Sequence, residues 1–352
     1  MTANPPSRIA IIDYLRGLAS LVVAWFHLTN LYEPTSTVRT SGALGYLGVD
    51  CFFVISGFVL PYLLSGVRGG YTLASFPRFM ARRTVRLEPA FLVSIAMVIV
   101  LWELSALRPA FAGEIPAFTV PHVLANALYL VPVTQYEWLQ PVYWTLAYEL
   151  VFYIVIGLIF PLIAAGPVRD GRSQLPFLFV VGALMALAAL QVIGAQWILF
   201  VMGLFVYKAV VERIGTGLLV AGLIASTAVM VLGNRADAAV VGLLTAVVIV
   251  LGRGFALSDR AERIFGGLGL ISYSLYLVHI PIGGRLVNFG KNFTDGNMAA
   301  ELGLSLFGLA VSLVAAVVFF LLIERPAHNL SRRIAMTRPR PGPNGGEARA
   351  DG

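Results

Sequence analysis

Long apolar segments alternate with short polar stretches along nearly the whole chain, and most of them have the length of a membrane-crossing helix. Such a helix needs about 20 mostly apolar residues, because the hydrocarbon core of a bilayer is about 30 Å thick. The pattern predicts ten spans, at residues 9–31, 44–66, 85–107, 142–164, 175–192, 195–211, 216–232, 238–252, 268–287 and 301–323. We therefore predict an all-α fold, a polytopic membrane protein with about ten transmembrane helices.

The composition excludes an ordinary soluble domain. Of the 352 residues, 58% are apolar and 12% are charged, whereas soluble domains average about a quarter charged residues. The single cysteine, Cys51, excludes an intramolecular disulfide and a zinc–cysteine cluster. Because Cys51 stands in an apolar run, we predict that it is a buried and unreactive side chain.

The distribution of lysine and arginine predicts the orientation. With the N-terminus in the cytoplasm, 19 of the 25 basic residues fall on the cytoplasmic side and 5 on the outer side, with Arg16 inside a span. Cytoplasmic loops are enriched in basic residues, so both termini are predicted to be cytoplasmic. This explains the net charge of +7 without a nucleic-acid partner. Residues 1–325 are predicted to form a membrane-embedded domain, and residues 326–352 a disordered basic cytoplasmic tail.

The first span carries three ionisable side chains, which are costly inside a membrane and therefore indicate function. Arg16 and His27 are eleven residues apart, which is three helical turns plus about 20°, so both lie on one face of the helix. Asp13 lies within about 40° of His27 but about 21 Å away along the helix axis. It is therefore expected to pair with Arg16.

Further polar residues are predicted at two depths. Asp50 and Glu149 follow the outer starts of their spans, and His279 lies in an outer half, so all three are predicted at the depth of His27. The arginines of the loop 78–86 are predicted at the inner end. Each residue alone also fits a structural role, such as charge pairing, helix bridging or, for the arginines, fixing the topology. Together they describe a path with an anion-binding inner end and a histidine–carboxylate outer end.

The sequence lacks the motifs of soluble enzymes. It has no phosphate-binding loop, no His-Glu-x-x-His zinc motif and no Gly-x-Ser-x-Gly elbow. The pair Ser56-Gly57 is interpreted as a close helix contact. A transporter or flippase of a polar lipid or sugar remains the alternative use of the polar path, although inverted repeats and paired broken helices are not apparent.

Six segments in order carry a family resemblance. They are IDYLRGLA (12–19) followed by WFH (25–27), GVDCFFVISGF (48–58), FMARRTVRLEP (79–89), WTLAYE (144–149), ISYSLYLVH (271–279) and ERP (324–326). In these segments the chain resembles acyltransferase family 3, the integral-membrane O-acyltransferases of bacterial surface polysaccharides and related glycosides. The resemblance implies a multi-pass enzyme of a bacterial-type cytoplasmic (inner) membrane that works without a metal or a permanently bound cofactor.

The resemblance also implies the substrates and the catalytic residues. The donor would be a cytoplasmic acyl-CoA, expected to be acetyl-CoA, and the acceptor a hydroxyl of a surface polysaccharide, a lipid-linked sugar or a glycoside. His27 is expected to act as general base, because a neutral imidazole can take a hydroxyl proton, together with Arg16 and Glu149. An acyl-histidine intermediate is the alternative to direct transfer. The phosphates of acyl-CoA are expected to bind three arginines, Arg82, Arg83 and Arg86.

Five further residues are expected to support the reaction. They are Asp13, Asp50, Trp144, Tyr276 and His279. Asp50 or Glu149 is expected to orient the imidazole of His27. Trp144 and Tyr276 are expected to donate hydrogen bonds to the tetrahedral oxyanion, or to stack on the sugar.

Overall fold

A computed structural model describes residues 9–107, 116–164, 174–255 and 257–336, and within these ranges the regular structure is helical, without a β-strand. The α-helices of these ranges are α1 (Ala10–Thr29), α2 (Thr37–Gly42), α3 (Gly48–Ser65), α4 (Phe76–Ala106), α5 (Val120–Ala127), α6 (Tyr143–Ile163), α7 (Leu175–Ala189), α8 (Gln196–Val210), α9 (Thr216–Leu232), α10 (Ala236–Leu251), α11 (Asp259–Val278), α12 (Arg285–Gly290), α13 (Met298–Phe319) and α14 (Arg325–Arg332). The prediction of an all-α fold is confirmed.

Six helical segments of the described ranges are long and apolar enough to cross a membrane: Ala10–Thr29, Thr37–Ser65, Leu73–Ala106, Tyr143–Ile163, Ala236–Gly254 and Met298–Arg332. The ninth predicted span corresponds to a pair, Asp259–Leu270 and Ser272–Phe293, that bends by 51°. The other three predicted spans correspond to the shorter apolar helices Leu175–Ala189, Gln196–Val210 and Thr216–Leu232. The protein is thus a multi-pass membrane protein, whereas the number of ten spans and the orientation of the termini stay predictions.

Helix α8 is buried along most of its length and packs against α3 in direct backbone contact. A Cβ atom at Gly57 would lie 2.2 Å from the carbonyl oxygen of Phe200, and one at Gly203 would lie 2.2 Å from that of Val54. Small residues let membrane helices approach this closely, so the interpretation of Gly57 as a helix contact is confirmed. Cys51, on the same helix as Gly57, is buried as predicted.

Replacing Gly57 by alanine is expected to lower the free energy of unfolding by about 1–3 kcal/mol, the usual range for an overpacked core. The new methyl group would meet backbone, which cannot rotate away. Thermal unfolding of the detergent-purified protein measures the effect. The matched control is Gly182→Ala in α7, where an added Cβ meets no atom within 4 Å. If both variants lost the same stability, the close contact of Gly57 with the Phe200 backbone would not be the cause of the loss.

The C-terminal end differs from the predicted disordered tail. Helix α14 covers Arg325–Arg332, packs against α4 and buries Ala327 and Ser331. The prediction of disorder from residue 326 onwards was wrong here, because a short and mostly polar helix that buries only small side chains leaves no apolar run in the sequence. Of the predicted tail, residues 337–352 lie outside the described residues.

Candidate active site

A cavity inside the helical bundle brings together charged side chains that are far apart in the sequence. This central cavity has an empty volume of about 910 Å³ and is lined by α1, α3, α4, α6, α11 and the π-helical turn Phe320–Glu324. Its charged lining residues are Arg16, Arg83, Arg86, Glu149 and Glu324. Two of the predicted catalytic residues and two of the three predicted donor arginines therefore line one cavity.

One arginine of α4, Arg83, is held at the cavity wall by aromatic rings. Arg83 and Arg86 are three residues apart and so lie on the same side of the helix. The guanidinium carbon of Arg83 lies 5.8 Å from the ring centroid of Phe79 and 5.1 Å from that of Tyr153. Aromatic faces attract cations, so these rings fix the position of the charge without neutralising it.

Each carboxylate of the central cavity accepts a hydrogen bond from a serine. Ser56 Oγ donates to Glu149 Oε1 at 3.0 Å, and Ser274 Oγ donates to Glu324 Oε2 at 2.5 Å. Arg16 and Arg86 act on Glu324 as neighbouring positive charges. The site therefore combines guanidinium groups with anchored carboxylates.

Glu324 is a cavity residue that the sequence pattern did not single out. It ends the π-helical turn that follows α13, one residue beyond the predicted span 301–323. Hydropathy assigns such a residue to a loop, although the helix continues through it. The available signal was the motif at 324–326, to which no chemical role was attached.

A second cavity, which we call the basic cavity, adjoins the first. Its empty volume is about 1230 Å³, and five arginines and one histidine line it: Arg68, Arg82, Arg83, Arg86, Arg332 and His328. No aspartate or glutamate lines it among the residues that the structure describes. Arg83 and Arg86 line both cavities. These two side chains therefore form the partition between a basic compartment and a mixed polar one.

His27 packs against a second histidine. The ring centroids of His27 and His279 are 5.2 Å apart. The His279 ring is fully buried, and its Nδ1 lies 2.9 Å from the carbonyl oxygen of Leu275. A carbonyl can only accept, so Nδ1 carries the proton and Nε2 is left with a lone pair. That Nε2 makes no hydrogen bond with the described part of the chain.

Tyr276 lies between the histidine pair and the central cavity. Its ring centroid is 6.0 Å from that of His279, and it lines the cavity. Its hydroxyl donates to the carbonyl oxygen of Val142 at 3.0 Å and lies 2.6 Å from Thr145 Oγ1. Arg16 therefore lines the central cavity, whereas His27, which contacts His279, does not.

The carboxylates that were expected to orient His27 lie with other residues. Glu149 lines the same cavity as Arg83, whereas His27 contacts His279. Asp50 lies elsewhere, with its Oδ1 3.8 Å from Arg235 Nη2. Within the described residues, neither carboxylate forms a hydrogen bond or an ion pair with His27. Hydropathy estimates only how far a residue lies from the start of its span, and it gives no position around the bundle.

Two local structures near the site differ from what the hydropathy pattern predicts. Helix α4 begins at Phe76, nine residues before the predicted span, so the arginines predicted in a loop lie inside a helix. The segment before α6 also enters the bundle. There the Tyr129 ring stacks on Phe91 at 4.7 Å, and its hydroxyl donates to Glu88 Oε1 at 3.2 Å. Burial, and then the Glu88 charge, raises the pKa of Tyr129 well above its usual value, which keeps the phenol protonated.

The remaining predicted residues lie beside the central cavity rather than in its lining. Trp144 packs against Phe53 and Tyr148, with ring centroids 6.1 and 5.6 Å away. Asp13 lies at the contact of α1 with α11, where a Cβ at Gly269 would be 2.2 Å from its carbonyl oxygen. Arg82 lines the basic cavity.

Comparison with known proteins gives a match over most of the chain. A family model described as an acyltransferase domain, acyltransferase family 3, matches residues 9–323. The exopolysaccharide production protein ExoZ of Rhizobium meliloti (strain 1021) is 28% identical over 311 residues, which cover 80% of this chain and 89% of that protein. No solved structure shows a significant match.

Two further relatives match shorter stretches. Protein 2 in the picA locus of Rhizobium radiobacter is 31% identical over 101 residues, which are 28% of this chain and 48% of that protein. BcsY of Komagataeibacter xylinus, which is named for membrane-bound transacylase activity, is 30% identical over 164 residues, 43% of this chain and 37% of that protein. All three relatives are bacterial proteins.

Proposed function

The chain belongs to acyltransferase family 3, and we propose that it transfers an acetyl group from cytoplasmic acetyl-CoA to a hydroxyl of a surface polysaccharide, a lipid-linked sugar or a glycoside. The observation that carries the proposal is the pair of adjoining cavities, because Arg83 and Arg86 line both of them. The basic cavity suits the phosphates of a polyanionic donor, and the central cavity suits its polar arm and thioester. The name of the relative ExoZ supports an exopolysaccharide as the acceptor.

The basic cavity fits the nucleotide end of the donor. Coenzyme A carries phosphate groups at one end and a thin pantetheine arm with the thioester at the other. Guanidinium groups bind phosphate bidentately and stay charged, so Arg82, Arg83 and Arg86 would hold the phosphates. The arm would then pass between Arg83 and Arg86 into the central cavity. There Arg16 would help to anchor the donor while its arm extends towards His27, and Glu149 would keep the surrounding charge balanced.

The histidine pair fits the proton transfer. His27 would take the proton of the acceptor hydroxyl while the hydroxyl oxygen attacks the thioester carbonyl. The tetrahedral intermediate would then collapse with breakage of the carbon–sulfur bond, and the thiolate of CoA would recover the proton. His279 offers a buried lone pair on Nε2 and is the candidate to accept the other N–H of His27 and orient its ring, as a carboxylate does in a catalytic triad.

The thioester has to reach towards His27 from the arginines. Eleven residues of helix separate Arg16 from His27, which is a rise of about 16 Å. A flexible arm can cover such a distance, whereas a nucleotide bound by several guanidinium groups cannot move with it. The proposal therefore assigns the two ends of the donor to different compartments.

Transfer of labelled acetyl groups tests the function. Purified protein in lipid nanodiscs is incubated with cell-envelope glycans and with acetyl-CoA that is labelled either in the acetyl group or in the adenine. We expect covalent label on the glycan from the acetyl group only. In sealed vesicles, movement of glycan or lipid across the membrane without covalent label would instead identify a transporter or flippase and contradict the proposal.

A further inference from the structure

Helix α14, which leaves no apolar run in the sequence, forms one wall of the basic cavity. It packs against α4 and buries Ala327 and Ser331 on its inner side. His328 and Arg332 both line the cavity. They are four residues apart and so lie on the same face of the helix. The C-terminal segment thus presents two nitrogen-bearing side chains to the compartment that α4 lines from the other side.

The charges across this cavity are all of one sign. Arg332 acts on Arg82 as a neighbouring positive charge. His328 lies among four such charges, those of Arg82, Arg83, Arg86 and Arg332. No carboxylate lines the cavity within the described ranges. Like charges that share a compartment repel one another, and this repulsion is relieved when an anion binds between them.

We propose that α14 completes the binding site for the nucleotide end of acyl-CoA, with Arg332 binding one of its phosphate groups. This inference rests on the proposed function. The adjoining central cavity favours CoA over a free phosphate or a lipid headgroup, because Arg83 and Arg86 line both cavities and the thioester arm would pass between them towards His27. An anion with an arm long enough to enter the central cavity uses both compartments at once.

The test compares donors that differ only at the nucleotide end. Acetyl-CoA carries all the phosphates, 3′-dephospho-acetyl-CoA lacks one, and acetyl-pantetheine lacks the nucleotide altogether. For Arg332→Gln we expect the KM for acetyl-CoA to rise about tenfold, which is the loss of one charge-assisted hydrogen bond. The KM for acetyl-pantetheine should not change. Arg332→Lys, which keeps the charge, should lie between the wild type and Arg332→Gln.

The matched control is Arg333→Gln. Arg333 is the next residue of the chain, is exposed and lines neither cavity, so its replacement removes the same charge without touching the site. Binding of CoA itself is read independently, from the rise in thermal unfolding midpoint that CoA produces in the detergent-purified protein. This rise should shrink in Arg332→Gln and persist in Arg333→Gln.

The outcomes separate the inference from the function on which it rests. In one outcome the wild type transfers acetyl groups from acetyl-CoA, while Arg332→Gln leaves both the KM and the effect of CoA on unfolding unchanged. That result would overturn the role of α14 and leave the proposed function standing. An equal rise in KM for acetyl-CoA and acetyl-pantetheine overturns it as well, since the phosphates would not be involved. If the wild type uses none of the three donors, the proposed function itself is wrong.

Discussion

His27→Ala is expected to reduce acyl transfer by about 10²–10⁴-fold, the usual contribution of a general base, while the protein still inserts and accumulates. The physical reason is that an alanine cannot take a proton from the acceptor hydroxyl. His279 is fully buried beside His27, whereas the His27 side chain is partly exposed, so His279 lacks direct access to the acceptor and is not expected to replace the lost base. The rate of labelling of the glycan, with saturating donor and acceptor, measures the effect.

The control for this variant is Leu18→Ala, which changes the same helix at a side chain that is 51% exposed. It should keep near-normal activity and shows whether α1 tolerates truncation. If the His27→Ala protein transferred acyl groups at a near-normal rate, His27 would not be the catalytic base. An acyl-histidine intermediate would be recognised by acetyl label that remains on the wild-type protein after denaturation and is absent from His27→Ala.

The second large effect is expected for Arg83→Gln, which should raise the KM for acetyl-CoA by about 10–100-fold and the KM for the acceptor much less. Arg83 lines both cavities, so the substitution removes a guanidinium from the path of the donor. A hydrogen bond to a charged group is worth about 1.5–3 kcal/mol, which corresponds to this range. Initial rates with each substrate varied in turn measure the two constants.

Arg78→Gln is the matched control, because Arg78 belongs to the same helix α4 and lines neither cavity. It removes one positive charge from the same end of the helix. If the arginines served only to fix the topology, the two variants would reduce insertion equally and leave the donor constant unchanged. An unchanged KM for acetyl-CoA in correctly inserted Arg83→Gln would therefore show that Arg83 does not bind the donor and only fixes the topology.

Hydropathy and helical periodicity predicted the helical class and the side of α1 that carries Arg16 and His27. Both predictions depend on properties of one segment at a time: the length of an apolar run and the angle between residues on one helix. The burial of Cys51 and the close contact at Gly57 follow from the same local reasoning. Such features depend on residues that are close together in the sequence, so a single sequence suffices to predict them.

The arrangement of the site depends on contacts between segments, which the sequence pattern does not contain. The first half of helix α4 carries partly buried arginines, and a buried charge is tolerated only where neighbouring side chains supply partners. For Arg83 the partners are the rings of Phe79 and Tyr153, and for Glu149 the partner is Ser56. Because these partners lie on α4, α6 and α3, only the folded structure shows that Glu149 belongs with the arginines rather than with His27.

If the basic cavity binds the acyl donor as proposed, repulsion between its arginines connects the survival of the protein in the cell to the availability of that donor. A ligand that binds only the folded state stabilises it in proportion to the logarithm of its concentration. Copies with an empty cavity keep the full repulsion and unfold more readily, and unfolded copies are removed by proteases. Cells short of the acyl donor should therefore degrade this protein faster, so that enzyme abundance follows carbon supply without any transcriptional control.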